Sequence, residues 1–233
     1  MGIMKPIVHW LLQPLALLLL AAAASAQSGG VADLPLVELP ADSQRPYLAV
    51  LLTGDGGWAD LDRQVSARLV AAGVPVVGWN SLKYYWVQRS PEEASRDLER
   101  ILVHYLAKWS KTRVVLVGYS RGADVLPFLA SRLPPGRLKQ VRLLALLGPA
   151  TSNRFEPLAS AYTHLGAQAP ELPTAPELGK LRGMRILGFY GADETDSLCK
   201  VTTPDLMECI QLPGSHHFGG AYAQIAERIL AEL

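Results

Sequence analysis

Residues 114–122 constrain the fold of this chain more than any other segment. They read VVLVGYSRG, so an apolar, β-branched run leads directly into Gly-x-Ser-x-Gly, and a helical pattern follows over residues 123–130. A strand, a sharp turn and a helix in this order form the setting of a nucleophile elbow. The two glycines allow the backbone to pass close beside a strained serine. The segment predicts Ser120 as a nucleophile and the Arg121 N–H as an oxyanion donor.

Apolar runs alternate with helical patterns along the rest of the chain. Capping residues Ser90 and Glu93, with Pro91 between them, predict the start of a long helix, and Gly73 predicts the end of an earlier one over residues 60–72. A further helix is predicted at the C-terminus. Strands are predicted at residues 47–52, 74–79, 114–117, 141–147, 184–190 and 206–212. This pattern indicates an α/β fold with a mostly parallel sheet covered by helices on both faces.

Every candidate motif follows one of the predicted strands, and sites in such sheets form at the carboxyl ends of strands. A serine hydroxyl needs a base and an orienting acid, in the order serine, acid, histidine. The strand at 184–190 leads into a glycine turn that carries Asp193, the favoured acid. Glu194 and Asp196 are nearby substitutes.

The last predicted strand ends in Pro-Gly-Ser-His-His-Phe over residues 213–218. Two histidines here follow the candidate acid, as the order requires. His217 is the favoured base, because it lies three residues after the turn glycine and next to Phe218. His216 is the alternative.

A second glycine-rich turn, Gly54-Asp55-Gly56-Gly57-Trp58, follows the first long strand. Enzymes with a nucleophile elbow place their second oxyanion donor at this point. We expect that donor to be the amide of Asp55 or Gly56. Trp58 lies either against the substrate pocket or in the core.

The N-terminal segment has the features of a signal peptide over residues 1–26. Its apolar stretch, about residues 15–24, is shorter than a membrane span and precedes Ala-Ser-Ala. We therefore expect an exported protein whose residues 27–233 form one domain, with an uncleaved N-terminal anchor as the alternative. Residues 150–180 lack a long periodic pattern, which favours a cap or lid over the site, with a plain surface excursion as the alternative.

Composition excludes some partners and suggests a cross-link. The formal net charge is +1, with 22 basic and 21 acidic residues, and no basic run indicates nucleic-acid binding. The two cysteines, Cys199 and Cys209, predict a disulfide in an exported protein, with two buried thiols as the alternative. Without histidines placed around them they make a poor metal site, and no metal or organic cofactor is expected.

Taken together, four motifs resemble the VirJ/AcvB bacterial virulence protein family, in its short VirJ-type form. They are residues 54–58, 118–127, 190–199 and 213–218. The resemblance implies an α/β-hydrolase fold, a periplasmic location and a triad of Ser120, Asp193 and His217.

The resemblance also implies an activity. Longer members of this family are implicated in hydrolysing aminoacyl-phosphatidylglycerol, and VirJ-type members are tied to type IV secretion and virulence. The expected substrate is a lipid or small ester at the membrane surface, and secretion-system proteins are candidate partners. Two other hypotheses remain: a non-catalytic periplasmic binding factor for secretion substrates, and a general carboxylesterase or thioesterase.

A substrate with an α-ammonium group would favour a nearby carboxylate. The candidates for substrate contacts include acidic, aromatic and histidine side chains around the motifs. They are Asp55, Trp58, Asp124, Glu194, Asp196 and His216, and Tyr84, Tyr85 and Trp86 contact either lipid or the core.

Overall fold

A computed structural model describes Met1 and residues 30–163 and 169–233 of the protein. Residues 31–233 form one compact unit. Apart from Met1, the predicted signal peptide lies outside the described residues. Within the described ranges, no helix is long and apolar enough to cross a membrane.

A seven-stranded sheet forms the centre of this unit, in the order β1-β3-β2-β4-β5-β8-β9. All neighbouring strands pair in parallel except β1 and β3, which are antiparallel. The strands are β1 (Leu36–Leu39), β2 (Tyr47–Leu52), β3 (Val76–Trp79), β4 (Arg113–Tyr119), β5 (Val141–Leu147), β8 (Ile186–Gly191) and β9 (Glu208–Leu212). A separate antiparallel pair consists of β6 (Ser152–Asn153) and β7 (Leu172–Pro173).

Helices connect the strands and cover the sheet. They are α1 (Asp60–Ala71), α2 (Ser81–Tyr84), α3 (Pro91–Lys108), α4 (Arg121–Ala130), α5 (Pro135–Leu138), α6 (Leu158–Thr163), α7 (Ala175–Lys180) and α8 (Tyr222–Leu230). Short 3-10 turns occur at Leu198–Lys200 and Phe218–Gly220.

Two hydrophobic clusters lie on the two faces of the sheet. One joins alternate strand residues, such as Val50 and Leu116, to the apolar sides of α3 and α4. The other joins the intervening residues, such as Leu51 and Val115, to α1 and α8. Successive strand side chains point to opposite faces, so burial on both faces explains why the strands read as continuous apolar runs. The predicted α/β architecture is confirmed.

The helix boundaries follow from local hydrogen bonds. Ser90 Oγ accepts from the Glu93 N–H at 3.1 Å, and the Glu93 carboxylate accepts from the Ser90 N–H at 2.8 Å, which confirms the capping box. At the end of α1, Gly73 has φ +82°, and Val74 N–H donates to Leu69 O at 2.9 Å. This Schellman-type cap uses Val74, so β3 begins two residues later than the sequence predicts.

Two other strands also begin late, because the residues before them form turns. Met184 N–H donates to Leu181 O, and Leu206 N–H donates to Thr203 O, both at 3.0 Å. Strand β1 was not predicted. It has only four residues between prolines, and its Glu38 accepts a hydrogen bond from Tyr105 OH at 2.8 Å.

The segment predicted as a cap or lid contains β6, α6, β7 and α7. Phe155, Leu158 and Leu178 are buried in the core cluster that includes α3 and α4. The Phe155 carbonyl accepts from the Gln88 side chain at 2.6 Å, and Leu158 N–H donates to Tyr85 O at 2.8 Å. The described parts of this segment therefore pack against the body of the domain.

Candidate active site

Ser120 lies between β4 and α4 with φ 52° and ψ −121°. A positive φ is strained for a residue with a side chain, so the expected backbone strain is confirmed. A Cβ at Gly118 would collide with Gly122 O, and one at Gly122 would collide with Leu52 O of β2. Both glycines are therefore needed because α4 starts in close contact with the strand ends.

The strand ends on either side surround Ser120. Its N–H donates to Leu147 O, the last residue of β5, at 2.9 Å. On the other side, a Cβ at Gly54 would lie 3.1 Å from Ser120 Cβ, so the turn after β2 passes directly beside the serine. Ser120 is partly exposed at this edge.

The amides expected to form an oxyanion hole lie next to this serine. Arg121 is the first residue of α4, so its N–H has no acceptor within the helix. In the described part of the chain, the N–H groups of Asp55 and Gly56 make no hydrogen bond, whereas Gly57 N–H closes the turn onto Gly54 O at 3.1 Å. The Arg121 Nε donates to the Asp55 carboxylate, which links the turn to α4.

A histidine–carboxylate pair lies at the next strand ends. His216 Nδ1 and Glu194 Oε1 are 2.6 Å apart. The other oxygen, Glu194 Oε2, accepts from Gly191 N–H at 2.6 Å, and the Glu194 side chain is only 9% exposed. The carboxylate is thus held from one side and presents its second oxygen to the imidazole.

The His216 ring is fixed over the end of β5. Gly148, the residue after β5, has φ +66°, and a Cβ there would lie 2.7 Å from His216 Cε1. Tyr119 stacks on the same ring, with centroids 5.4 Å apart and planes at 29°. Tyr119 precedes Ser120, and Leu147, the residue before Gly148, accepts the Ser120 N–H, so the imidazole lies at the same strand ends as the serine. Its Nε2 is the nitrogen that Glu194 leaves unused.

In the structure, the acid and the base that the sequence favours, Asp193 and His217, form no hydrogen bond with each other. The Asp193 side chain is exposed and forms no hydrogen bond with any described residue, and its N–H donates to Gly214 O at 2.9 Å. His217 is also exposed, and its Nδ1 lies 2.9 Å from Tyr119 OH. Instead, the pair that forms consists of the two alternatives, Glu194 and His216.

Two other acidic candidates contact the loop after β5. Asp124 Oδ1 accepts from Ala150 N–H at 2.7 Å, and burial raises the pKa of its carboxyl to about 7. Asp196 is exposed and accepts from Thr151 Oγ1 at 3.3 Å. Asp124 therefore holds the loop to α4, whereas Asp196 is open to solvent.

The aromatic candidates separate into core and surface. The Trp58 ring occupies the space over Gly78 of β3, where any Cβ would collide with it, so Trp58 packs against the sheet. Tyr84 and Tyr85 are buried, and Trp86 is 48% exposed.

The predicted disulfide between Cys199 and Cys209 is confirmed, with a Cα–Cα distance of 5.6 Å. Cys209 belongs to β9, and Cys199 lies in the 3-10 turn that follows the Glu194 loop. Lys200 Nζ donates to Glu194 O. The cross-link therefore ties the loop that carries Glu194 to the strand that precedes His216 and His217. Among the described residues, no cluster of three or more His, Cys, Asp or Glu side chains has the arrangement of a metal site.

Two residues of the site were missed by the sequence analysis. Tyr119 and Gly148 both contact the His216 ring, and they are the last residue of β4 and the first after β5. The sequence shows an aromatic residue and a glycine at the ends of two strands. That both lie against one histidine follows only from the order of the strands in the sheet.

The fold and the strained serine define the class of this protein. Solved α/β-hydrolases superpose on it at low sequence identity, which shows a shared fold. Est1E from Butyrivibrio proteoclasticus has a TM-score of 0.60 and 13% identity over 84% of this chain and 92% of its own. MenH from S. aureus has a TM-score of 0.61 and 14% identity over 85% and 97%. The Paleococcus ferrophilus monoacylglycerol lipase has a TM-score of 0.59 and 12% identity over 86% and 99%.

Within this α/β-hydrolase fold, the chain belongs to the family described as bacterial virulence protein (VirJ), which matches residues 46–233. The resemblance noted from the four motifs is thereby confirmed. A search among curated protein sequences gave no significant match.

Proposed function

We propose that this protein is a serine hydrolase that cleaves an ester, with Ser120, His216 and Glu194 as its triad. The observation that carries the proposal is the juxtaposition of a strained, partly exposed serine with the end of β5, over which the Glu194-bound imidazole of His216 packs. A serine becomes nucleophilic when an imidazole takes its proton and a carboxylate stabilises the imidazolium.

In the first step, Ser120 Oγ attacks the ester carbonyl while its proton passes to His216 Nε2. Glu194 stabilises the resulting imidazolium through Nδ1. The tetrahedral intermediate collapses, the C–O bond to the leaving alcohol breaks, and His216 returns the proton to that alcohol. Water, deprotonated by His216, then attacks the acyl-enzyme and releases the acid and free Ser120. Ser120 Oγ forms no hydrogen bond with a described residue, which is common before substrate tightens an active site.

The developing negative charge would be held by the amides of Arg121 and of Asp55 or Gly56. These N–H groups lie on both sides of the serine and are unused by the backbone in the described part of the chain. Preorganised donors of this kind contribute about 3–4 kcal/mol of transition-state stabilisation each.

The solved structures support the reaction class by analogy. One neighbour is Est1E with bound ferulic acid, and others are a monoacylglycerol lipase and an esterase domain from Rhodothermus marinus. Their low identities mean that the triad argument rests on the geometry of this chain.

For the substrate, we propose the aminoacyl ester of aminoacyl-phosphatidylglycerol, lysyl or alanyl, cleaved in the periplasm. Family membership supports this choice, and so does the charge at the site. Asp196 is exposed on the loop after β8. An exposed carboxylate favours a substrate with an α-ammonium group.

The test is amino-acid release from lysyl- and alanyl-phosphatidylglycerol in detergent micelles, measured by mass spectrometry. We expect release by the wild type and none by Ser120→Ala. Reaction with a fluorophosphonate probe without release from either lipid would retain the hydrolase and reject the lipid. Absence of both would reject the hydrolase and favour a binding factor for secreted proteins.

A further inference from the structure

The two parts of the proposed oxyanion hole come from segments that are 66 residues apart in sequence. One part is the turn Gly54–Trp58 after β2, and the other is the N-terminus of α4. Asp55 and Gly56 are exposed on that turn, and their amides make no hydrogen bond with described residues. The hydrogen bond from Gly57 N–H to Gly54 O lies within the turn, so it does not connect Asp55 and Gly56 to α4.

A side-chain bridge connects the two parts. Arg121 Nε donates to Asp55 Oδ1, so the residues that carry two of the expected oxyanion amides are also joined through their side chains. The Arg121 side chain is only 15% exposed, although its backbone lies at the edge of the site. Contacts with the rest of the protein therefore fix the position of the Arg121 side chain.

The guanidinium is held on a second side. Its Cζ lies 5.8 Å from the centroid of the Tyr85 ring, and Tyr85 is 1% exposed in the core. A guanidinium at this distance from an aromatic ring gains a cation–π interaction that strengthens when it is shielded from water. Tyr85 in turn contacts Phe155 and accepts, through its carbonyl, the Leu158 N–H. The Arg121 side chain therefore packs against the core of the domain as well as bonding to Asp55.

We propose that the Arg121–Asp55 ion pair is a positioning device that fixes the turn after β2 against α4 and so preorganises the oxyanion hole. This inference rests on the proposed function. It assigns the two side chains a role in addition to that of their amides, and neither side chain has to touch the substrate. Preorganisation is the property that makes such donors effective, since donors that must first reorient lose much of their contribution.

Two measurements test the device on the purified protein. The first is hydrogen–deuterium exchange of peptides covering residues 53–58. The second is kcat and KM for a soluble p-nitrophenyl ester. The variants are Asp55→Asn, Arg121→Gln and the double variant, all of which keep the backbone amides. Arg182→Gln is the matched control, because it breaks an exposed ion pair with Asp205. This pair lies on the loops that precede β8 and β9, at the amino ends of the strands, whereas the candidate site lies at the carboxyl ends.

We expect faster exchange in residues 53–58 for both single variants, with no change for Arg182→Gln. We also expect kcat to fall about tenfold or more with KM nearly unchanged, because the amides act on the transition state. The double variant should be no worse than the poorer single variant, because both changes break one interaction.

Unchanged exchange in Asp55→Asn and Arg121→Gln would overturn this proposal. Losses of kcat that add in the double variant would overturn it too. A loss in Arg121→Gln alone, seen mainly in KM, would also overturn it and point to a direct contact with substrate. Asp55 is exposed, so Asp55→Asn decides the matter if Arg121→Gln fails to fold. If the wild type cleaves no ester, the exchange result still decides the device, and only the proposed function fails.

Discussion

At the scale of single residues, two adjacent histidines have different surroundings. His216 contacts a buried carboxylate and two strand ends, whereas His217 is exposed and bonded to Tyr119 OH. Adjacent residues in a tight turn point in different directions, so only one of the two imidazoles pairs with a carboxylate, and this distinction assigns the proposed base. The sequence predicts this turn as the source of the base and offers both residues, but the direction of each side chain is set by packing against Gly148 and Tyr119.

His216→Ala should abolish most of the esterase activity. Removing a catalytic base reduces kcat by about 10³-fold or more. His217→Ala should retain activity close to wild type, because its imidazole is bonded to Tyr119 and not to an acid. Steady-state kinetics with one soluble ester would compare the two, with circular dichroism to verify folding. Greater loss in His217→Ala than in His216→Ala would contradict the assignment.

The same comparison applies to the acids. Glu194→Gln removes the charge that stabilises the His216 imidazolium, so kcat should fall by up to about 10⁴-fold. Asp193→Asn is the control, since the Asp193 side chain is exposed and makes no hydrogen bond in the described structure. Measuring kcat for both variants over pH 6–9 is the check, and equal loss in the two would show that Glu194 is not the orienting acid.

At the scale of elements, the sequence predicted most of the strands and the long helices, because burial on both faces and caps such as Ser90 leave local signals. It missed β1, which is short and depends on pairing with β3 and on contacts of Glu38 with α3. The segment after β5 has no long periodic pattern, and its short elements are stabilised by Tyr85 and Gln88, far away in sequence.

The disulfide contributes at this scale. Cys199 and Cys209 are 10 residues apart, and in the chain-entropy interpretation a loop this short stabilises the fold by about 2.5–3 kcal/mol. Replacing both cysteines with serine should lower the free energy of unfolding by about this amount, measured by urea denaturation. Reduced wild type is the companion sample. Equal midpoints for the oxidised protein and the double serine variant would contradict the prediction.

At the scale of the whole molecule, an ion-pair network connects the last two strands of the sheet with the C-terminal helix. Arg185 and Arg228 both bond Glu208 of β9 and Glu232 near the C-terminus, and so connect β8, β9 and α8. The hydrogen bond from Arg185 lowers the pKa of Glu232 to about 2. A carboxylate with a lowered folded-state pKa stabilises the protein above its usual pKa of 4.5, and this contribution is lost as pH falls toward 2.

Two buried acids act in the opposite direction. Burial raises the pKa of Asp62 to about 6 and that of Asp124 to about 7. The folded protein therefore holds protons that the unfolded chain releases above pH 4, and the stability that these two groups provide at low pH decreases as pH rises toward neutral.

Glu232→Gln should isolate the network. We expect its melting temperature to lie several degrees below wild type at pH 7, and the difference to shrink as pH falls from 4.5 toward 2. Asp62 and Asp124 are present in both proteins, so their effect cancels in the difference. Glu227→Gln, at an exposed position on α8, is the matched control. A melting-temperature difference that stays constant from pH 7 to pH 3 would contradict the linkage.

The disulfide also determines how this protein can be labelled. Because the sequence has two cysteines and both are bonded to each other, the oxidised chain offers maleimide reagents no thiol. A single cysteine introduced by Asp193→Cys would therefore carry an environment-sensitive fluorophore at one known position. That position is exposed and adjoins Glu194, so the emission of the dye would report ligand binding in real time, even in a Ser120→Ala background that turns over nothing.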